Sequence, residues 1–141
     1  MGEWLKLGRI GIPFVISAPS GTGKTTVCRR ALERDDLLDF SISHTTRTPR
    51  PGETEGVDYY FVSAAEFRRL VEDGAFVEHA EYTAENYGRS HEALRVSLEE
   101  RGHDALLEIE IQGAAQVRER RPDARFIFLL PPSMQALEAR L

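Results

Sequence analysis

The chain has 141 residues, of which 41% are hydrophobic and 29% charged, and its formal net charge is −5. This length suits one globular domain with its own hydrophobic core and leaves no room for two. The acidic balance argues against a general binder of nucleic acid or of membrane surfaces, and the lone cysteine, Cys28, excludes an intrachain disulfide.

Two further features bear on location. No stretch approaches the roughly 20 apolar residues that span a bilayer, and residues 1–11 lack the long apolar run of a secretory signal. A single cysteine is also typical of a reducing compartment. We therefore expect a cytoplasmic protein.

The first half of the chain alternates apolar strand patterns with helical ones. The predicted elements are a buried strand over 13–18, a helix over 24–34, a short strand over 40–43, a loop over 45–58, a strand over 59–62 and a helix ending near 73. Ser63 and Glu66 form the capping box that opens this last helix, and Gly74 is its stop signal.

The second half continues the alternation. The predicted elements are a strand over 76–82, a turn at 86–88, a helix over 91–101 ended by Gly102, strands over 105–111 and 125–130 with a helix over 114–120 between them, and a last helix from 134 with Ser133 as its N-cap. Strands separated by helices predict an α/β fold with a parallel sheet. The polar segment 59–82 is interpreted as an insertion on that sheet.

The last predicted helix runs to Leu141 without a glycine, an asparagine or another stop signal. Eight residues make only a marginal helix. We therefore expect a chain that is cut within this element, with a naturally short C-terminal helix as the alternative.

The strongest motif, APSGTGKTT, begins at Ala18 and lies between a predicted strand and a predicted helix. It fits the P-loop pattern G-x-x-x-x-G-K-[ST], with Ala18 in place of the first glycine. Gly21 and Gly23 let the backbone turn its N–H groups toward an anion. Lys24 is expected at the β- and γ-phosphates of a nucleoside triphosphate, and the Thr25 hydroxyl on Mg²⁺.

The motif predicts the nucleotide's phosphates but does not identify the acceptor. The alternative is a chance glycine-rich turn after a strand. The residues predicted to bind the phosphates are Ala18, Pro19, Ser20, Gly21, Thr22, Gly23, Lys24, Thr25 and Thr26.

A second anion site is predicted in the loop that follows. Arg47 and Arg50 lie three residues apart in a segment stiffened by two prolines, and two guanidinium groups can clamp one phosphate. Tyr59 and Tyr87 could add hydroxyl donors. The alternative is a pair of solvated surface arginines.

Several segments in chain order resemble the guanylate kinase family. They follow the P-loop as SHTTRTPRPGE (43–53), GVDYYF (56–61), FVEHAEY (76–82), NYG (86–88), LEIEIQGA (107–114) and FIFLLPPS (126–133). The resemblance covers nearly the whole chain from Ile12 onward, and its combination of motifs is highly specific.

The resemblance implies a P-loop NTPase fold, with a parallel core sheet flanked by helices and a small inserted mixed α/β subdomain that binds GMP. On this basis the chain is a single guanylate kinase-like domain over 1–141, incomplete at its C-terminal end. Its core spans 10–40 and 103–141, and its GMP-binding insertion spans 41–102.

The implied activity is transfer of the γ-phosphoryl group from ATP to GMP, giving ADP and GDP in purine nucleotide metabolism, with Mg²⁺ as cofactor. GMP or dGMP and ATP would be the partners, without nucleic acid or membrane, in a monomer or a homodimer. Lys24, Arg47 and Arg50 would be catalytic.

The remaining roles are carried over position by position. Arg47, Arg50, Tyr59 and Tyr87 would hold the GMP phosphate, Ser43 would face the guanine O6, Glu78 would accept from the guanine N1–H and amino group, and Glu110 would lie near the base. A carboxylate suits the two donors of guanine and repels the N1 acceptor of adenine. Without the resemblance, Glu78 would be interpreted as an exposed strand carboxylate.

Glu108 and Glu110 follow a probable core strand at the end where open α/β sheets bind ligands. Glu108 could hold the water shell of Mg²⁺ beside Thr25, and an ordinary half-exposed strand is the alternative. Glu110 stands where the family commonly has aspartate. Arg89 stands where it usually has serine or threonine, and its side chain is expected at a phosphate or in solvent.

The family's arginine-bearing lid and adenine pocket would lie beyond Leu141. An arginine that stabilises the transferred group is worth roughly 10³ to 10⁵ in rate, so weak or no turnover is expected from this chain. Two other functions stay open. One is a P-loop kinase for another nucleoside monophosphate, and the other is a non-catalytic guanylate-kinase-like module that binds a protein.

Overall fold

The computed structural model describes residues 8–19 and 21–140. Its strands are β1 (Pro13–Ser17), β2 (Leu38–Phe40), β3 (Ser43–Thr45), β4 (Tyr59–Phe61), β5 (Phe76–Tyr82), β6 (Glu85–Ser90), β7 (Asp104–Glu108) and β8 (Arg125–Phe128). Its helices are α1 (Lys24–Arg34), α2 (Ala64–Glu72), α3 (His91–Arg95), α4 (Ile111–Arg120) and α5 (Met134–Arg140), and a π-helical turn over Val96–Glu100 continues α3.

The first sheet has the strand order β2-β7-β1-β8, and its three pairings are parallel. Its two central strands are apolar because both of their faces are covered, and Val15 and Leu107 are fully buried there. The parallel order brings the carboxyl ends of β1 and β7 to one edge of the sheet. The predicted α/β fold with a parallel sheet is confirmed.

The second sheet has the order β4-β3-β6-β5 and is mixed. Strands β3 and β4 pair in parallel, whereas β6 is antiparallel to both β3 and β5. Helix α2 packs on this sheet through Phe67, whose ring lies 4.8 Å from that of Phe76. The sheet extends beyond the segment 59–82 at both ends, because β3 and β6 also belong to it, and it lies within the span 41–102 that the family resemblance implies.

The two sheets share one hydrophobic core. Val77 of β5 and Leu94 of α3 belong to the same buried cluster as Val15 and Leu107. Polar contacts reinforce the junction, because Gln116 of α4 donates to the His79 carbonyl and accepts from the His79 N–H, at 3.0 and 3.1 Å. Strand β5 is therefore held against the first sheet by α4.

Local signals predicted many elements well. Helix α1 and strand β5 have the expected bounds, and Ser63 and Ser133 cap α2 and α5 by accepting from the N–H groups of Glu66 and Ala136. Gly74 has a φ of 68° after α2, as its predicted role as a stop requires.

The predicted strand over 40–43 is wrong. Strand β2 ends at Phe40 and β3 begins at Ser43, and the two belong to different sheets. The Ser41 N–H still donates to the Leu106 carbonyl of the first sheet. The chain therefore changes partners within two residues, which a local pattern does not reveal.

The predicted turn at 86–88 is also wrong. These residues lie in β6, where Tyr87 pairs with Thr45 on one side and Ala80 on the other. Cross-strand pairing has overridden a local turn preference. The glycine is needed for a different reason, since a Cβ at Gly88 would lie 3.0 Å from the ring of Phe76.

Helix α4 begins three residues earlier than predicted, and β7 ends at Glu108 rather than near Ile111. Glu110 precedes the helix in an extended conformation, and its carbonyl accepts from the Ala114 N–H at 3.0 Å. The alternation of Ile109 and Ile111 resembles a strand, but Ile111 is an exposed helical residue.

Within residues 8–19 and 21–140, no helix combines the length and the apolar character needed to cross a membrane. The expectation that the N-terminus is not a secretory signal concerns mainly residues 1–7, which lie outside the described residues. Leu141, where the last helix was predicted to end, also lies outside them.

Candidate active site

The glycine-rich turn connects β1 to α1 and surrounds a cavity of about 290 Å³. Gly21 and Gly23 have φ angles of 82° and 90°, which side chains with a Cβ rarely adopt. Lys24 begins the helix directly after Gly23. The lining includes every residue predicted to bind phosphate except Ser20, which lies outside the described residues.

Two carboxylates at the end of β7 meet this turn. The Thr25 hydroxyl donates to Glu108 Oε1 at 2.8 Å, and Lys24 Nζ lies 3.5 Å from Glu110 Oε1. Parallel pairing of β1 with β7 accounts for this meeting, because it carries both segments to the same sheet edge. A hydroxyl and a carboxylate in contact offer the oxygen ligands that Mg²⁺ takes.

A second cavity, of about 440 Å³, lies between the two sheets. It brings together every residue predicted for the acceptor: Ser43, Arg47, Arg50, Tyr59, Glu78, Tyr87 and Glu110. These residues come from β3, β4, β5 and β6, from the loop after β3 and from the start of α4. Glu110 lines both this cavity and the cavity of the glycine-rich turn.

Arg47 is held in place by a carboxylate. Its Nη1 and Nη2 donate to the two oxygens of Glu53 at 2.9 and 2.8 Å, and its guanidinium lies 5.0 Å from the ring centre of Tyr59. Bonding to Glu53, with lesser help from Tyr59 and Tyr87, raises the pKa of Arg47. The guanidinium is therefore oriented before any ligand arrives.

Glu53 is a site residue that sequence reasoning missed. Its Oε1 also accepts from the backbone N–H of Arg50 at 2.7 Å. Bonds from Arg47 and then from Arg50 lower the pKa of Glu53 from its ordinary 4.5 to about 2. One sequence signal could have identified Glu53. It is an acidic residue six positions after Arg47, in a stiff loop whose arginines suit an anion, and so it is placed to pair with one of them.

Glu78 is only 4% exposed, so its interpretation as an exposed strand carboxylate is wrong. Its Oε1 accepts from Arg89 Nη1 at 2.7 Å. Gly113 closes the space beside it, since a Cβ there would lie 3.0 Å from Glu78 Oε2 and 2.4 Å from the Ile109 side chain. A glycine in α4 thus makes room for the carboxylate.

Arg89 does not point into solvent, which corrects one of the two expectations for its side chain. The side chain is 12% exposed, and besides its bond to Glu78 it donates from Nη2 to the Glu108 carbonyl at 2.6 Å. Sequence reasoning noted Arg89 but missed its pairing with Glu78. The two residues are cross-strand neighbours, and this register is seen only in the structure.

The tyrosines lie on strands that flank β3. The Tyr59 and Tyr87 rings are 6.1 Å apart, and Ser43 on β3 is buried and lines the same cavity. Arginine and tyrosine donors and a buried carboxylate line the same cavity, which suits an anion attached to a polar ring.

A parallel sheet whose first strand leads through a glycine-rich turn ending in Gly-Lys-Thr to a helix is the P-loop NTPase fold. The sequence matches the family model described as guanylate kinase over residues 11–141. The chain belongs to the guanylate kinase family.

Individual relatives agree with this assignment. The chain is 48% identical to the guanylate kinase of Alkalilimnicola ehrlichii over 93% of its length and 64% of that protein, and 50% identical to that of Chromohalobacter salexigens over 93% and 60%. It resembles the crystal structure of guanylate kinase from Anaplasma phagocytophilum with a TM-score of 0.70 and 38% identity, covering 96% of this chain and 68% of the other. The chain thus spans somewhat less than two thirds of the first two relatives.

Proposed function

We propose that the chain binds ATP at the glycine-rich turn and GMP in the cavity between the sheets, and transfers the γ-phosphoryl group to give ADP and GDP. The observation that carries this proposal is one cavity in which oriented arginine and tyrosine side chains lie beside a buried carboxylate. Membership of the guanylate kinase family supports it.

The acceptor phosphate would be bound by Arg47, Arg50, Tyr59 and Tyr87. The ion pair with Glu53 supports this role, because it orients the Arg47 guanidinium. Charge-assisted bonds from oriented donors hold an anion better than flexible ones do.

The base would be recognised by Glu78, with Ser43 at the guanine O6 and Glu110 nearby. The burial of Glu78 supports selectivity. When the buried carboxylate meets guanine, it accepts from the N1–H and the amino group of the base. When it meets adenine, it faces the N1 acceptor and has no donor from the base at that position. Unpaired groups of this kind discriminate by about 10⁴ or more in other enzymes.

Mg²⁺ would be held by Thr25, with Glu108 acting through a water molecule. The 2.8 Å contact between these two side chains supports the pairing. When bound, the ion would neutralise charge on the β- and γ-phosphates of ATP. Lys24 would leave Glu110 and contact the same phosphates, since a phosphate is a stronger anion partner than an exposed carboxylate at 3.5 Å.

In this account Lys24, Arg47 and Arg50 act by positioning and by neutralising charge, and no covalent enzyme intermediate is needed. Residues 10–40 and 103–141 would form the core that carries ATP, and 41–102 the insertion that carries the acceptor. A cytoplasmic setting belongs to the same proposal, and the lone cysteine supports it.

The test is an assay of ADP formation with ATP, Mg²⁺ and either GMP, AMP, CMP or UMP, on the wild type and on Glu78→Gln. We expect weak ADP formation that depends on GMP and falls at least about tenfold in E78Q, because an amide N–H₂ donor replaces one carboxylate oxygen. Equal turnover with AMP, or a folded chain that shows neither turnover nor GMP binding, would contradict the proposal.

A further inference from the structure

Arg89 joins the two candidate sites through two bonds. It lies on β6 opposite Glu78 of β5, and its Nη1 donates to Glu78 Oε1 at 2.7 Å. Its Nη2 donates to the backbone carbonyl of Glu108 at 2.6 Å. The side chain of Glu108 in turn accepts from the Thr25 hydroxyl in the first turn of α1, directly after the glycine-rich turn.

These two bonds fix the guanidinium plane. Arginine presents its donors in a rigid fork, and the two nitrogens used here reach groups on different sheets. A lysine ammonium keeps the charge, but it is a point donor on a flexible stem. The contact therefore depends on arginine geometry as well as on charge.

Because the Arg89–Glu78 ion pair is buried, Glu78 depends on Arg89 as its charge partner. The Arg89 and Glu78 side chains are 12% and 5% exposed. Removing one partner of a buried pair leaves the other charge without compensation. Arg89 thus holds the Glu78 carboxylate in orientation and is its charge partner.

The bond from Arg89 uses only one of the two oxygens of the Glu78 carboxylate. Within residues 8–19 and 21–140, Oε2 of Glu78 has no hydrogen-bond partner. It lies beside Gly113, and both residues line the cavity between the sheets. Arg89 occupies one oxygen and leaves the other for a ligand.

We infer that Arg89 is a positioning residue for the acceptor base, which fixes the Glu78 carboxylate against the end of β7 with Oε2 available to the donors of a purine. This inference rests on the proposed function, because it takes Glu78 as the group that meets the base. Arg89 acts through Glu78, so its effect is confined to the base and does not extend to the phosphate.

The test compares two ligands that share a ribose phosphate. GMP binding to the full chain is measured by calorimetry, and ribose 5-phosphate binding by chemical-shift titration. The variants are Arg89→Met and Arg89→Lys, and the control is Arg69→Met, which removes an arginine from an exposed ion pair with Glu66.

We expect R89M to weaken GMP binding at least about tenfold and to leave ribose 5-phosphate binding within about twofold of wild type, since the two bonds that it removes hold the carboxylate that serves the base and not the groups that serve the phosphate. R89K should lie between the two, and R69M should match wild type for both ligands. Circular dichroism and thermal melting report whether each variant is folded.

Four outcomes would overturn the inference. GMP affinity in R89M equal to that of wild type would show that Glu78 needs no positioning, and equal loss for both ligands would show a general structural role. If R89M does not fold, R89K with wild-type GMP affinity has the same meaning. A wild-type chain that fails to bind GMP would contradict the proposed function itself, and this inference would fall with it.

Discussion

The Arg47–Glu53 ion pair organises the loop after β3 at the scale of single residues. Glu53 accepts three hydrogen bonds, two from the Arg47 guanidinium and one from the Arg50 backbone. All three favour the charged carboxylate, and they lower the pKa of Glu53 to about 2. The loop's geometry is therefore linked to the ionisation of one side chain.

This linkage predicts acid sensitivity. Because the folded-state pKa of about 2 lies below the ordinary 4.5, the stabilisation is present above pH 4.5 and is lost as the pH falls toward 2. The Glu53→Gln variant has no carboxylate at this position and therefore lacks this pH-dependent stabilisation. We expect the thermal midpoint of wild type to fall more steeply between pH 5.5 and 3 than that of E53Q.

The control for this measurement is Glu33→Gln, a change at an exposed position on α1. E33Q should follow the wild-type dependence on pH. Parallel curves for wild type and E53Q would show that the pair does not stabilise the fold.

At the scale of elements, the turn between β5 and β6 departs from common turn chemistry. Thr83 and Ala84 have φ angles of 49° and 65°, a region that favours glycine and asparagine. Each residue with a Cβ pays about 1 kcal/mol or more in this conformation. The antiparallel pairing of the two strands imposes it.

Ala84→Gly should therefore stabilise the chain. We expect a gain of about 0.5–1 kcal/mol in the free energy of unfolding, after allowance for the greater freedom of glycine in the unfolded state. The same change at Ala65, in α2, should lower stability by about 1 kcal/mol. Urea denaturation at neutral pH measures both, and a loss of stability in A84G would contradict the conformational argument.

The same turn shows what the sequence could and could not predict about the elements. Helix α1 and its preceding turn follow local rules, and so do the caps at Ser63 and Ser133, and all of these were predicted. The turn at Thr83 was missed because the pairing of β5 with β6 imposes it without a glycine or asparagine to signal it. The separation of β2 from β3 was missed because their partners, β7 and β6, lie far away in the sequence.

The candidate site divides in a similar way. Motifs and the family resemblance predicted seven residues for the acceptor, from Ser43 to Glu110, and all seven line the cavity between the sheets. Their roles stay predictions. The positions of Glu53 and Arg89 relative to these residues were not predicted. Their contacts depend on how a loop folds back and how β5 and β6 are registered, and neither follows from residue types alone.

At the scale of the whole molecule, the two cavities adjoin at the carboxyl end of β7. The Glu108 side chain accepts from Thr25, next to the glycine-rich turn, and the Glu108 backbone carbonyl accepts from Arg89. Glu110 lines both cavities. The shared core and the contacts between α4 and β5 fix the distance between the sites. In the proposed reaction this arrangement would bring two phosphates together.

The central claim is that the cavity between the sheets is an acceptor site selective for GMP. The most direct measurement is a calorimetric titration of the 141-residue chain with GMP and, separately, with AMP, after circular dichroism has established that the sample is folded. We predict GMP binding, with AMP at least about a hundredfold weaker, because the Glu78 carboxylate suits guanine donors and repels the adenine acceptor. Equal affinity for AMP, or no GMP binding by a folded chain, would contradict the account.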